Sequence, residues 1–365
     1  MAVIANDEKS KKMKKRAEIS LRTKTYLTIV GLLALTGVLY AANPAFFTSF
    51  PQSTGVAISP NDMYATSWCS QDLSHIDCNG VATVVGQIPA GNNPCIEKYL
   101  EFAPIQSANA GFKPTDLYIT EGFKIFKFSG GVVTDFAQVG CPFSDHSSIT
   151  FDKVGTFGNK MIITCENGPI FTVDDLPGGP HVDFIASTTN AQHTTHPEGP
   201  AVAPSPGFGP LSGQILVADE DFDGPNNGAV HAIKNDGTVT YNVFNFGPPP
   251  GWLGAENVNV VPLNPGTFGC SGGSFFQAIE DAGAPGHQSI FVKYPPGDFT
   301  VPPLPPGRSV LVTSEAIPPV NTNGTALVTF NTMAIRWISC WTTPREQKFT
   351  PLSLLHKARP SFANG

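Results

Sequence analysis

The chain has 365 residues and a formal net charge of −7, with 22 Lys and Arg against 29 Asp and Glu. Eight of the basic residues fall in the first 42 positions, so the remainder carries −12, which excludes the electrostatic footprint of a nucleic-acid binder. Charged residues make up only 14%, while Gly and Pro number 36 and 34, a balance that fits many short strands joined by turns.

In chain order, the first feature is an apolar run of 17 residues from Tyr26 to Ala42. It follows Lys11, Lys12, Lys14, Lys15, Arg16, Arg22 and Lys24. A basic flank ahead of a short apolar stretch reads as an export signal. Ala41 and Ala42 offer a cleavage region, but Leu39 or Tyr40 at the −3 position fits it poorly. Retention as an N-terminal membrane anchor is therefore the alternative. The expected organisation is a signal or anchor at 1–42, a β-propeller at 43–345 and a C-terminal tail at 346–365. The expected location is periplasmic, extracellular or membrane-anchored, touching the membrane only through this segment.

Beyond it, strand-like runs end five times in a carboxylate ahead of a turn: Leu117 to Glu121, Met161 to Glu166, Ile215 to Glu220, Phe275 to Glu280 and Val310 to Glu315. A second series ends in turn residues at Pro60, Pro104, Asp152, Pro204 and Pro262, spaced by 44, 48, 52 and 58 residues. This period predicts an all-β fold, a six-bladed β-propeller with seven blades as the upper bound. The blades are expected at 54–92, 95–140, 143–190, 195–247, 253–304 and 307–345, the last completed by a strand from the N-terminal side. Hairpins are expected at Gly130-Gly131 and Asn235-Asp236-Gly237. The proline-dense stretch 295–306 reads as an interblade connection, because proline gives no ladder hydrogen bond.

Seven cysteines behind an export signal predict disulfides. Cys69 and Cys78 are the best pair, flanking a hairpin expected at Ser70 to Asp77. Cys95 and Cys141 are the next candidates, as a bridge between blade edges. Cys165, Cys270 and Cys340 cannot be paired from sequence, and no zinc spacing occurs.

Two constellations carry chemistry. The loop Asp219-Glu-Asp221-Phe-Asp223-Gly224-Pro-Asn-Asn227 resembles the D-x-D-x-D-G-x-x-D loops of integrin α propellers. It predicts a structural Ca²⁺ in blade four, held by Asp219, Asp221, Asp223, Asn227 and the Pro225 carbonyl, since three like charges in one turn repel unless a cation bridges them. The second constellation stands six residues before each turn position: Thr54, Lys98, His146, Glu198 and Glu256. Equivalent positions face one end of the channel, so His146, Glu198 and Glu256 are expected to meet there, with Glu97 or Lys98 nearby. They would hold a second divalent metal or share acid–base work. The strand-end carboxylates Glu121, Glu166, Glu220, Glu280 and Glu315 recur in blade after blade and read as architectural. His193 and His196, just before Glu198, read as solvated loop residues, with a place on the same rim as the alternative.

Pro197-Glu198-Gly199-Pro200, followed by Gly213-Gln-Ile-Leu-Val-Ala-Asp219, resembles the entry strand of gluconolactonase/regucalcin-like and strictosidine-synthase-like propellers. The resemblance implies a catalytic metal near Glu198. The His-plus-Glu arrangement is similar to virginiamycin B lyase, a propeller with a divalent ion near its axis. The sequence holds no G-x-S-x-G, H-E-x-x-H, P-loop or dinucleotide fingerprint. The leading expectation is an exported propeller that binds a small polar ligand or an envelope partner. The alternative is a metal-dependent hydrolase or lyase acting on a small polar substrate such as a lactone.

Overall fold

The computed structural model describes residues 45–89, 95–142, 146–205, 207–225, 227–245, 254–260, 266–279, 288–295, 309–314, 325–331 and 334–339. The segments expected as signal and tail, the prolines at 296–306, and Glu280, Glu315 and Cys340 lie outside the described residues. Among the described residues no helix is long and apolar enough to cross a membrane.

The strands follow the repeat. After β1 (Ala45–Pro51) come three antiparallel four-stranded sheets. They are β2 (Ser53–Ile58) to β5 (Ala82–Gln87), with β3 (Met63–Ser67) and β4 (Asp72–Ile76) between. Next are β6 (Leu100–Phe102), β7 (Leu117–Glu121), β8 (Lys124–Ser129) and β9 (Val132–Gln138). Then come β10 (Ser147–Phe151), β11 (Met161–Cys165), β12 (Pro169–Asp174) and β13 (His181–Ser187). A fourth meander runs through β14 (Pro197–Val202), β15 (Ile215–Asp219), β16 (Ala229–Ile233) and β17 (Val239–Asn245). The remaining strands are β18 (Ala255–Val260), β19 (Phe275–Ile279), β20 (Gln288–Tyr294), β21 (Ser309–Ser314), β22 (Thr325–Asn331) and β23 (Ala334–Ser339).

These make a five-bladed propeller, not six or seven blades: among the described residues the strands group into five sheets. The residues expected as blades five and six do not form two separate meanders. β18 pairs with β21, which continues through β22 to β23. A single parallel bridge between Gly199 and Asn257 then joins β18 edge-on to β14, making one eight-stranded sheet. The bridge sits where the Asn257 side chain lies over Gly199: a Cβ on residue 199 would stand 2.4 Å from Asn257 Cγ, so a larger residue would have to displace that side chain. The last sheet is β1-β20-β19. An N-terminal strand does complete a sheet, but β1 joins β20 instead of residues 307–345.

Burial falls from inner to outer strands. β10, β11 and β15 are buried throughout, whereas β5 is exposed along most of its length. The hydrophobic clusters lie between neighbouring sheets. Leu73, Leu100 and Phe126 join the first two blades, Tyr118, Phe151 and Met161 the next two, and Ile162, Ile170 and Ile215 the pair after that. Phe50 and Phe291 of the β1-β20-β19 sheet pack on Met63, Ala65 and Ile76 of the first blade, so the last sheet meets the first. The expected hairpins form, with Gly130, Gly131 and Gly237 all at positive φ.

The disulfides are Cys69–Cys95, Cys78–Cys270 and Cys141–Cys165. The expected Cys69–Cys78 bridge does not form, because the residues between them hold strand β4 and not a hairpin, leaving the two cysteines at its opposite ends. Cys95 and Cys141 bond elsewhere as well. Cys78–Cys270 spans 192 residues and ties the first blade to the loop that enters the last sheet. Replacing both cysteines with serine is expected to cost about 2–5 kcal/mol in denaturant unfolding, the usual loss for a native bridge. An unchanged unfolding midpoint would show that the packed ring closes without it.

Candidate metal centre at the channel mouth

The site is built by strand pairing. In each blade the innermost strand runs antiparallel to its neighbour, so the start of one lies beside the end of the other. Ser147 pairs with Cys165, which puts His146 opposite Glu166. Pro197 pairs with Asp219, which puts His196 opposite Glu220. The residues read as architectural and those read as functional are therefore two sides of the same strand pairs. Glu166, Glu220 and His196 belong to the site, contrary to the reading of Glu166 and Glu220 as architectural and of His196 as a solvated loop residue.

The geometry is a chain of alternating charge. His146 Nε2 lies 2.8 Å from Glu198 Oε1, and its Nδ1 lies 3.2 Å from Glu166 Oε2. Glu166 Oε1 meets His196 Nε2, and His196 Nδ1 lies 2.9 Å from Glu220 Oε2. The Tyr99 hydroxyl lies 2.9 Å from Glu198 Oε2 and 3.0 Å from Glu97 Oε2. Glu198 is 1% exposed, and its carbonyl accepts from the Thr164 hydroxyl at 2.9 Å. Backbone bonds lock the first pair: the Glu166 N–H donates to the His146 carbonyl, and the His146 N–H donates to the Glu166 carboxylate.

The protonation states follow from this packing. Burial opposes a charge on His146, but Glu198 and Glu166 outweigh it and hold the imidazolium well above its ordinary range. Burial opposes His196 too, yet hydrogen bonds to Glu166 and Glu220 push it up to about 10. Glu166 is also desolvated, but the two imidazoles hold it far below the usual carboxylate range. Burial pushes Glu198 up to about 7, partly offset by His146. Burial, then Glu198, Glu97 and Glu256, raise the Tyr99 phenol.

Of the expected trio, His146 and Glu198 meet. Glu256 lies on β18, close enough for its charge to act on Tyr99, but it belongs to neither ligand group. Lys98 is fully buried, with its ammonium 3.1 Å from the Ile96 carbonyl, and burial lowers its pKa against the pull of Glu121. Two sets of side chains bring ligand atoms within 4.8 Å of one another: Glu97, His146 and Glu198, and His196, Glu198 and Glu220. Carboxylate oxygen with imidazole nitrogen is a donor set that suits divalent ions.

The blade-four loop is not among these sets. The Asp219 carboxylate takes the His231 Nε2 at 2.7 Å and the backbone N–H groups of His196 and Asp221. Asp223 takes His193 Nδ1 at 2.9 Å and the Thr194 N–H. The Asn227 amide donates to the Phe222 carbonyl. Asp219 and Asp223 thus face histidines and backbone donors in place of one another. His193 lies over Tyr241, ring centres 4.2 Å apart, as a bonded residue and not a free one.

No protein family matches the chain, and no curated protein matches it. Among solved structures it is similar to a streptogramin B lyase, at 15% identity and a TM-score of 0.42, covering 81% of this chain and 86% of that one. It is also similar to regucalcin, a calcium-binding protein from Agrobacterium tumefaciens, at 16% identity and a TM-score of 0.38, covering 65% and 74%. A third is a gluconolactonase from Xanthomonas campestris, at 11% identity and a TM-score of 0.32, covering 68% and 88%. At such identities the likeness concerns fold alone, and nothing about the site rests on it.

The shifts predict how stability depends on pH. His196 contributes fully below its ordinary 6.5, and that contribution is lost as pH rises through about 10. Glu198, raised from 4.5 to about 7, likewise disfavours the fold as pH rises through that interval. Glu166 acts oppositely, and its contribution is lost as pH falls below its ordinary 4.5. In chelator, the melting temperature should peak in mild acid and decline towards pH 10, and His196→Gln should flatten the alkaline limb. A flat wild-type profile from neutral to alkaline pH would contradict the charge network.

Proposed function

We propose that the protein is an exported propeller that binds a small polar ligand through a divalent cation held at the channel mouth. One observation carries the reading. The strand ends of three successive blades place His146, Glu97 and Glu198 within a single ion's reach, and Glu198 also belongs to the second set, with His196 and Glu220. A solvated acidic cluster would leave its carboxylates exposed and unlinked, whereas Glu198 is buried and bonded to both an imidazole and a phenol. The excess of carboxylates favours a cation over an anion at the rim. A cation there would in turn take oxygen donors from a carboxylate or lactone. Three disulfides support an oxidising compartment.

A second reading, a hydrolase or lyase that opens a lactone or similar ring, is favoured by the placement of Tyr99. Its hydroxyl and His146 hold the two oxygens of Glu198, so a buried carboxylate stands fixed between two proton donors, an arrangement suited to acid–base work.

Metal analysis of wild type beside Glu198→Gln tests the first reading. The variant should bind divalent cations at least about tenfold more weakly, since ligand sets lose that much even when outer partners are removed. Equal metal content would remove the channel mouth as the site. Assaying both proteins, with Tyr99→Phe, for lactone opening decides the second reading. Activity absent from wild type leaves binding alone, and activity kept in both variants takes the chemistry away from Glu198 and Tyr99.

A further inference from the structure

We propose that the channel mouth holds two divalent cations bridged by carboxylates, not one. The inference rests on the cation-binding reading above and goes past it in stoichiometry and architecture.

Blades three and four contribute the same pair of residues from the same places. His146 immediately precedes β10 and His196 immediately precedes β14, while Glu166 immediately follows β11 and Glu220 immediately follows β15. The duplicated imidazoles fall in two separate ligand sets, the first completed by Glu97 of the preceding blade. Glu97 and His146 stand on one side, and His196 and Glu220 on the other. Glu166 and Glu198 lie between them. Glu166 reaches both imidazoles, one with each oxygen. Glu198 belongs to both ligand sets. The two imidazole ring centres are 6.1 Å apart.

Two-metal sites place their ions about 3.5–4 Å apart, a distance that a carboxylate spans with its two oxygens. Four carboxylates and two imidazoles, with carboxylates shared between the metals, is a donor set that two-metal carboxylate centres use.

The test loads the purified chain with Mn²⁺ by equilibrium dialysis, counts metal by elemental analysis and records the electron paramagnetic resonance spectrum. The expected result is two Mn²⁺ per chain with an exchange-coupled spectrum. Glu220→Gln and Glu97→Gln, removing ligands from opposite halves, should each leave one ion with the spectrum of an isolated Mn²⁺. One ion in wild type overturns the proposal and leaves the single-cation reading intact. No ion overturns both. Two uncoupled ions, one of them lost in Asp221→Ala and kept in Glu220→Gln, would assign the second to the blade-four loop and overturn the proposal. The wild-type count decides even where a variant fails to fold.

Discussion

The structure depends on the register between the innermost strand of each blade and its neighbour. An antiparallel pair places the entry of one strand beside the exit of the other, and the ladder fixes which residues face each other. Sliding Ser147 off Cys165 by one residue would turn His146 away from Glu166 and exchange the two faces of β10, taking Ile149 and Phe151 off the cluster they share with Tyr118 and Met161. The apolar packing that stabilises the fold therefore also aims the polar side chains. Because the second, third and fourth blades repeat the arrangement, side chains separated by about a hundred residues in sequence, such as Tyr99 and Glu198, come to hydrogen-bonding distance.

Alternating sign makes the resulting cluster tolerable. A lone buried carboxylate is expensive, and a buried ion pair repays its desolvation only with good geometry and its remaining hydrogen-bonding sites filled. Here each imidazole lies between two carboxylates, and the Thr164 and Tyr99 hydroxyls supply further bonds. The backbone makes room as well. A Cβ on residue 254 would stand 1.9 Å from Glu220 Cγ, so Gly254 is what lets β18 pass behind that carboxylate. The same join between β14 and β18 accounts for the blade count, since it fuses two meanders into one sheet.

The architecture was largely legible in the sequence, because turn chemistry and a period near fifty residues are local signals. The site was half legible. Counting back from the turn residues found His146, just ahead of β10, and Glu198, the second residue of β14. It also selected Glu256, which lies on β18, the strand that departs from the blade pattern by pairing with β21. Glu166 and Glu220 read as architectural because they recur, although recurrence at the end of the strand facing the inner one is what sets them opposite His146 and His196. Writing the two repeating series as one antiparallel ladder would have found them, and His196 with them. The cysteine pairing was not legible, because Cys78 bonds a residue 192 positions away across the ring closure. In the acidic loop the spacing fits calcium, while the carboxylates of Asp223 and Asp219 turn to His193 and His231, contacts that no spacing rule within the loop would reveal.

The central claim is that strand ends from successive blades build one cation site at the channel mouth. A crystal of the folded domain grown with Mn²⁺, with anomalous scattering recorded at the manganese edge, tests it most directly. The account predicts anomalous density within ligand distance of the Glu198 carboxylate, between His146 and His196. Anomalous density confined to the Asp219–Asn227 loop, or none at the mouth, would contradict it.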